Sequence, residues 1–388
     1  MSIGIVAIKS IVLCVLSLVF LAQPVLACMW DHDTLQQERS RFPSAIELLT
    51  GKFLRHSREF YEWRIRDRQQ RLVKEPRNLA YYDDLGVAYQ KTGQDGKAIE
   101  VMRVKEKLSP GLYETAANLG TFYILSGNLE EGLRHVDKAL EINPHAHFDR
   151  ERYQKWIVEY AITCKKDGQL HFPMRDSSNS GAHTFADFLA DKLHLDKRLP
   201  LSESQKAVNA ILGMMRFADY DNPLVLEALG DLLCKTERQN DAKRLATRAY
   251  LAASYKFKGK EEEDKYRQLA EWAIRMQTVN AFSGKQLSLA ELERDFRAER
   301  AEAENWYSNL KGREISWIRQ GINVDNEFDK LYKSEPEVFD KNSIPIIGAL
   351  LPSSLDSWFV LIWGSLIGTI VIGIVRENRR RLSWFVRE

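Results

Sequence analysis

The residues richest in chemistry stand together near position 30. Cys28-Met29-Trp30-Asp31-His32-Asp33 puts a thiol, an imidazole and two carboxylates within six residues. Such a set could ligate a transition metal. The same residues also read as the start of a helix, with Asp33 and Thr34 as caps. A second group, His145-Ala146-His147 with Asp149, has two imidazoles but no third ligand at metal spacing. The chain carries no phosphate loop, no His-Glu-x-x-His and no Gly-x-Ser-x-Gly. Nothing here demands catalysis, a metal or a cofactor, so the expectation is a protein that is not an enzyme. The alternative is an enzyme or metal-dependent accessory factor with its site near Asp31 to Asp33.

The elements that would position these groups are written in a repeat. Leu85-Gly86-Val87-Ala88-Tyr89 falls on Leu119-Gly120-Thr121-Phe122-Tyr123 at an offset of 34 residues, Gly93 on Gly127, and Pro110 on Pro144. A fixed period of this length marks a helix-turn-helix repeat. Gly86 and Gly120 remove side chains where two helices must approach closely, and Gly93 and Gly127 suit a helix end with positive φ. Pro110 and Pro144 stop the second helix of each unit. A degenerate third copy follows Asn222-Pro223 and keeps Leu229, Gly230, Ala242 and Ala249, with Arg238 and Ser254 in place of the turn glycine and terminal proline.

These positions, with Tyr82, Ala98 and Ala139, resemble the tetratricopeptide repeat family. The start at residues 28–56 also resembles a group of uncharacterised bacterial tetratricopeptide proteins, which implies no activity. The resemblance implies an all-α superhelix of stacked hairpins whose concave face holds a protein or peptide ligand. In the family's geometry that groove would carry Asp83, Val87, Gln90, Glu114, Ala117, Asn118 and Thr121. Family members that grip chaperone C-termini use a clamp of Lys, Asn, Asn, Lys and Arg. Asp83 and Val87 stand at two of those places and only Asn118 fits, which disfavours an anionic C-terminus as ligand.

Both ends carry membrane signals. Residues 10–22 form a short apolar run behind Lys9, and Val25-Leu26-Ala27 is a small-residue cleavage signal, so residues 1–27 read as a signal peptide. Cys28 then has two readings, a lipidated cysteine or the first residue after ordinary cleavage. Residues 357–375 are free of charge and long enough to span a bilayer, with Trp358 and Trp363 near the first end. Five arginines follow, from Arg376 to Arg387, which places the C-terminal tail in the cytoplasm and the bulk of the chain outside it, on the cytoplasmic membrane. Gly364-x-x-x-Gly368 has the spacing of a dimerisation face, although glycine is common in spanning helices, so a homo-oligomer stays open.

Without Lys9 and the five tail arginines and two tail glutamates, 50 basic residues face 52 acidic ones. No basic stripe remains for nucleic acid. Cys164 and Cys234 could pair in an oxidising compartment, but both sit on apolar helical faces, which favours buried thiols.

The reading is therefore all-α. Residues 28–78 form a helical cap, 79–146 two repeats, and 147–285 further hairpins with the degenerate copy at 223–256. A long helix over 286–335 would act as a stalk or strut, followed by a linker at 336–356, the span and a basic tail at 376–388. Thr34, Ser44, Ser202 and Ser288 each precede a Gln or Glu by three residues and read as helix-opening boxes. The expected function is a membrane-anchored extracytoplasmic scaffold for protein–protein interaction. A reporter that works only in the cytoplasm should be active when fused after Glu388, and activity of an export-dependent reporter there would reverse the orientation.

Overall fold

The computed structural model describes residues 29–38, 40–144, 150–175, 183–195, 199–235, 240–276 and 287–334. The signal run, Cys28, His145 to Asp149, Arg238 and the apolar run 357–375 lie outside these. Among the described residues every regular element is helical, apart from one antiparallel bridge between Lys166 and Gln169. This is consistent with a helical repeat. No described helix is long and apolar enough to cross a membrane.

The chain opens with α1 (His32–Glu38), α2 (Ala45–Thr50) and α3 (Arg58–Lys74). Four helices then make the two copies of the 34-residue period: α4 (Leu79–Lys91), α5 (Asp95–Leu108), α6 (Tyr113–Leu125) and α7 (Leu129–Ile142). Next come α8 (Arg150–Thr163), α9 (Phe185–Lys192) and α10 (Leu201–Phe217). The third copy is α11 (Pro223–Lys235) with α12 (Asn240–Ser254), and α13 (Glu261–Arg275), α14 (Leu289–Arg319) and α15 (Val324–Ser334) complete the chain. From α3 to α8 each helix packs on the next.

Local signals explain most boundaries. Ser44 with Glu47 and Ser288 with Glu291 form complete capping boxes. Asn222 Oδ1 accepts from Leu224 N–H, opening α11 at Pro223. Gly93 and Gly127 have φ of 78° and 87° after α4 and α6. Two expected boxes fail. Pro200 rather than Ser202 precedes α10, and α1 begins at His32, where Asp31 Oδ1 takes the capping bond from Thr34 N–H.

The long helix departs from expectation. It does not stand apart as a stalk but packs along α2, α3, α12 and α13, burying Leu292, Phe296 and Leu310. It then turns into α15, which packs on α1. The last helices therefore return to the first. Both described cysteines are free thiols; Cys234 is buried and Cys164 half-buried.

Glycine permits the closest crossings. A Cβ on Gly120 would lie 2.8 Å from Val136 Cγ2 and 3.1 Å from the Val136 backbone nitrogen. One on Gly86 would lie 2.8 Å from Met102 Cε, the far end of a flexible side chain. Backbone cannot step aside as a methionine can. Gly120→Ala is therefore expected to cost about 1–3 kcal/mol by overpacking. Gly86→Ala should stay within about 1 kcal/mol of the parent, because better helix propensity offsets a small rearrangement. Equal losses in urea unfolding would show that the α6–α7 crossing is not the tighter one.

Candidate functional site

The inner positions of α4 and α6 are already in use. Asn118 Oδ1 accepts from Trp30 N–H at 2.8 Å, and Asn118 Nδ2 donates to Trp30 O at 3.1 Å. His32 N–H donates to Asp84 Oδ1 at 2.9 Å. The repeat face thus holds the main chain of residues 30–32 by amide and carboxylate side chains, much as one strand holds another. Met29 is buried in the core of α4, α5 and α6.

Side chains of the same segment enter an ionic cluster. Arg64 of α3 is fully buried and stacks 4.3 Å from the Phe60 ring. It donates to Asp33 Oδ2 at 2.6 Å, Asp31 Oδ2 at 3.2 Å and Asp325 Oδ1 of α15 at 2.8 Å. Arg68, one turn on, pairs with Asp84 and with the other oxygen of Asp325. Burial alone would raise Asp325, but Arg64 and Arg68 hold it down at about 2. Asp31 is pushed up to about 6 by burial and by neighbouring Asp33, against the pull of Arg64.

His56 closes the cluster. Its Nδ1 lies 2.6 Å from Glu314 Oε1 of α14, and its Nε2 lies 3.2 Å from Asp33 Oδ1. The ring stacks on Phe60 with centroids 3.6 Å apart. Burial disfavours the charged ring, yet Asp33 and Glu314 outweigh it and raise His56 to about 9.

The seven expected groove residues meet different fates. Asp83, Val87, Ala117, Asn118 and Thr121 are buried, so they are not a free surface. Asp83 is bound through both oxygens to Lys105 and accepts from Asn118 Nδ2, and burial pushes it up to about 7. Ala117 packs with Ala116 and Ala139, while Thr121 accepts from Gln154 Nε2 at 3.1 Å. Gln90 and Glu114 are half-buried.

The third copy repeats the arrangement at the same register. Glu227 and Asp231 flank Gly230 as Asp83 and Val87 flank Gly86. Glu227 accepts from the backbone N–H groups of Met174 and Arg175 and from Tyr266, and Asp231 accepts from Phe185 N–H and Tyr250. Burial, then Asp231, raises Glu227 to about 7. Here too the inner face holds the chain's own backbone.

Two cavities meet at Ala218 and Asp219. One of about 360 Å³ is polar, with Asp33, Arg55, His56, Gln90 and Lys91 among its lining residues. The other, of about 540 Å³, is mostly apolar and includes Ile124, Leu125, Ile157, Leu170, Phe172 and Leu224. Among the described residues no group of His, Cys, Asp and Glu is arranged to hold a metal ion. Asp31 and Asp33 instead each commit an oxygen to Arg64.

No protein-family model matches the chain, and no curated protein matches it.

The raised His56 sets a pH window. Its folded value near 9 exceeds the usual 6.5, so its stabilisation is complete below pH 6.5 and is lost as pH rises through 9. The loss is on the order of 3 kcal/mol. Urea unfolding at pH 6 and pH 9.5 should register it, and His56→Gln should flatten the profile between them. An unchanged slope in the variant would mean that His56 is not held as imidazolium.

Proposed function

We propose that this chain is a membrane-anchored, extracytoplasmic scaffold of tetratricopeptide type, which captures an apolar segment of a partner protein in the 540 Å³ cavity beside α6. The 34-residue period and its glycines support stacked helical hairpins forming a superhelix. The leader-like residues 1–27 and the apolar run 357–375 with its arginine tail supply the export signal and the single anchor, with the C-terminus in the cytoplasm.

One observation carries the binding role. Asn118 grips both the N–H and the C=O of Trp30, which is how a helical inner face would hold an extended polypeptide. That position is filled by the chain itself through buried ion pairs, and releasing such a pair would cost several kcal/mol. A partner is therefore expected farther along α6, one and two turns beyond Asn118, where Thr121, Ile124 and Leu125 line open volume. Apolar walls favour apolar side chains, with a few polar groups such as Gln154 and Asn222 to fix direction.

The enzyme or metal-dependent alternative near Asp31 to Asp33 is weakened by Arg64. A metal would have to displace a fully buried guanidinium from both carboxylates.

Asp83→Lys is a poor probe of the groove, since it would set two buried lysines against each other. Leu125→Glu with Leu170→Glu tests it better, because both residues are half-buried on the cavity wall. The double variant, folded by circular dichroism, should lose the partners that crosslink to the parent chain in native membranes. Retention of the same partners at the same yield would place the binding surface elsewhere.

A further inference from the structure

The polar cavity has a wall chemistry that the scaffold role does not use. We infer that it is a binding site for a small zwitterion, a molecule with the carboxylate and ammonium groups of a free amino acid. The inference does not rest on the scaffold reading, since the two cavities share only Ala218 and Asp219.

Cations without carboxylates line one part of the wall. Lys91, in the last turn of α4, donates to the Ala218 carbonyl and forms no ion pair among the described residues. Asp219 and Asp31 act on it only at longer range, and burial holds it below the usual lysine range. Arg55 donates to the Gly51 carbonyl, and its guanidinium lies 3.6 Å from the Tyr307 ring centre and 5.0 Å from that of Tyr220. It too has no carboxylate partner among the described residues.

Acceptors without donors line another part. Gln90 Oε1 and Asp33 Oδ1 are buried atoms that accept no hydrogen bond. Asp33 Oδ1 has only the His56 imidazolium opposite it, as an ion pair at 3.2 Å, while Gln90 Oε1 has no donor at all. Buried polar groups are nearly always satisfied, so atoms of this kind facing a polar cavity call for an occupant. Water could satisfy the acceptors, but it cannot match the lysine and arginine charges.

Wall charge decides the ligand class. An anion alone would answer Lys91 and Arg55 and leave the acceptors bare, while a cation alone would do the reverse. A molecule carrying both groups answers both. The volume of about 360 Å³ lies at the small end of ligand pockets, which suits a free amino acid rather than a folded partner. Phe53, Tyr61 and Phe217 on the same wall offer apolar surface to its side chain.

The test is titration calorimetry on the full chain in detergent, with the common L-amino acids as probes up to about 10 mM. At least one is expected to bind. Its deaminated and decarboxylated counterparts should each bind about tenfold more weakly or worse, the loss of one charged hydrogen bond. Lys91→Met should weaken the amino acid by about the same factor and leave the decarboxylated amine unchanged. Absence of heat from every amino acid would overturn the site, and so would equal binding of the deaminated acid, which would make it an anion site only. Unchanged affinity in a folded Lys91→Met chain would also overturn it. The comparison of analogues on the parent chain decides the matter even if that variant does not fold.

Discussion

The guanidinium of Arg64 is the point on which the described structure turns. It is fully buried, and its three carboxylate partners come from two distant places in sequence, Asp31 and Asp33 from the start and Asp325 from the last helix. A charge so placed is tolerable only when paired, and removing one partner from such a group typically costs about 3–5 kcal/mol. The cluster thus enforces a particular closure. The N-terminal segment must lie against the repeat face, and α15 must return to cover it. Arg68 and His56 extend the same demand to Asp84 of α4 and Glu314 of α14, so five separate stretches of chain are tied by one set of charges.

This closure alters what the repeat face can do. In an open superhelix the first helices of each hairpin would offer their inner positions to a ligand. Here Asn118 and Asp84 hold residues 30–32, and Glu227 and Asp231 hold the backbone at 174, 175 and 185. Both uses are alike in kind. A polar side chain on a mostly apolar helix satisfies main-chain N–H groups that burial would otherwise strand, a cost of about 1–3 kcal/mol for each. At these positions the chain itself is what the face holds. Open volume beside these positions lies in the two cavities that meet at Ala218 and Asp219.

Local features were legible in the sequence because their causes are local. The Leu-Gly pairs, the positive-φ glycines and the boxes at Ser44 and Ser288 are set by neighbours within a turn or two, and each appears where periodicity and capping rules place it. The N-terminal insertion was not legible, because no rule of spacing links Asp31 to a residue 33 positions on or Arg64 to one 261 positions away. A partial signal existed in α3. Phe60, Arg64 and Arg68 recur every four residues, so the two arginines share the face of a core aromatic and had to find buried acids. Likewise, the 34-residue register carried to Gly230 puts Glu227 and Asp231 at inner positions of an apolar helix, where carboxylates need donors. The long helix misled for the opposite reason. Its length suggests a stalk or strut, whereas its apolar stripe at Leu292, Phe296 and Leu310 is buried against α2, α3 and the helices around them.

The same long-range pairing constrains how the chain can mature. Residues 79–142 can form their hairpins from contacts close in sequence, and such contacts form early because little chain must be ordered to make them. The ion cluster cannot be completed until α15 exists, since Asp325 supplies one oxygen to each arginine. Until then Arg64 and Arg68 have Asp31, Asp33, Asp67 and Asp84 to balance them. Closing a loop of that length costs only slowly more entropy as the chain grows, so delay in synthesis rather than loop entropy sets the order of events. The first described residues and the last therefore lock together at the end, His32 to Asp329 and Gln37 to Tyr332, with Arg64 beneath them.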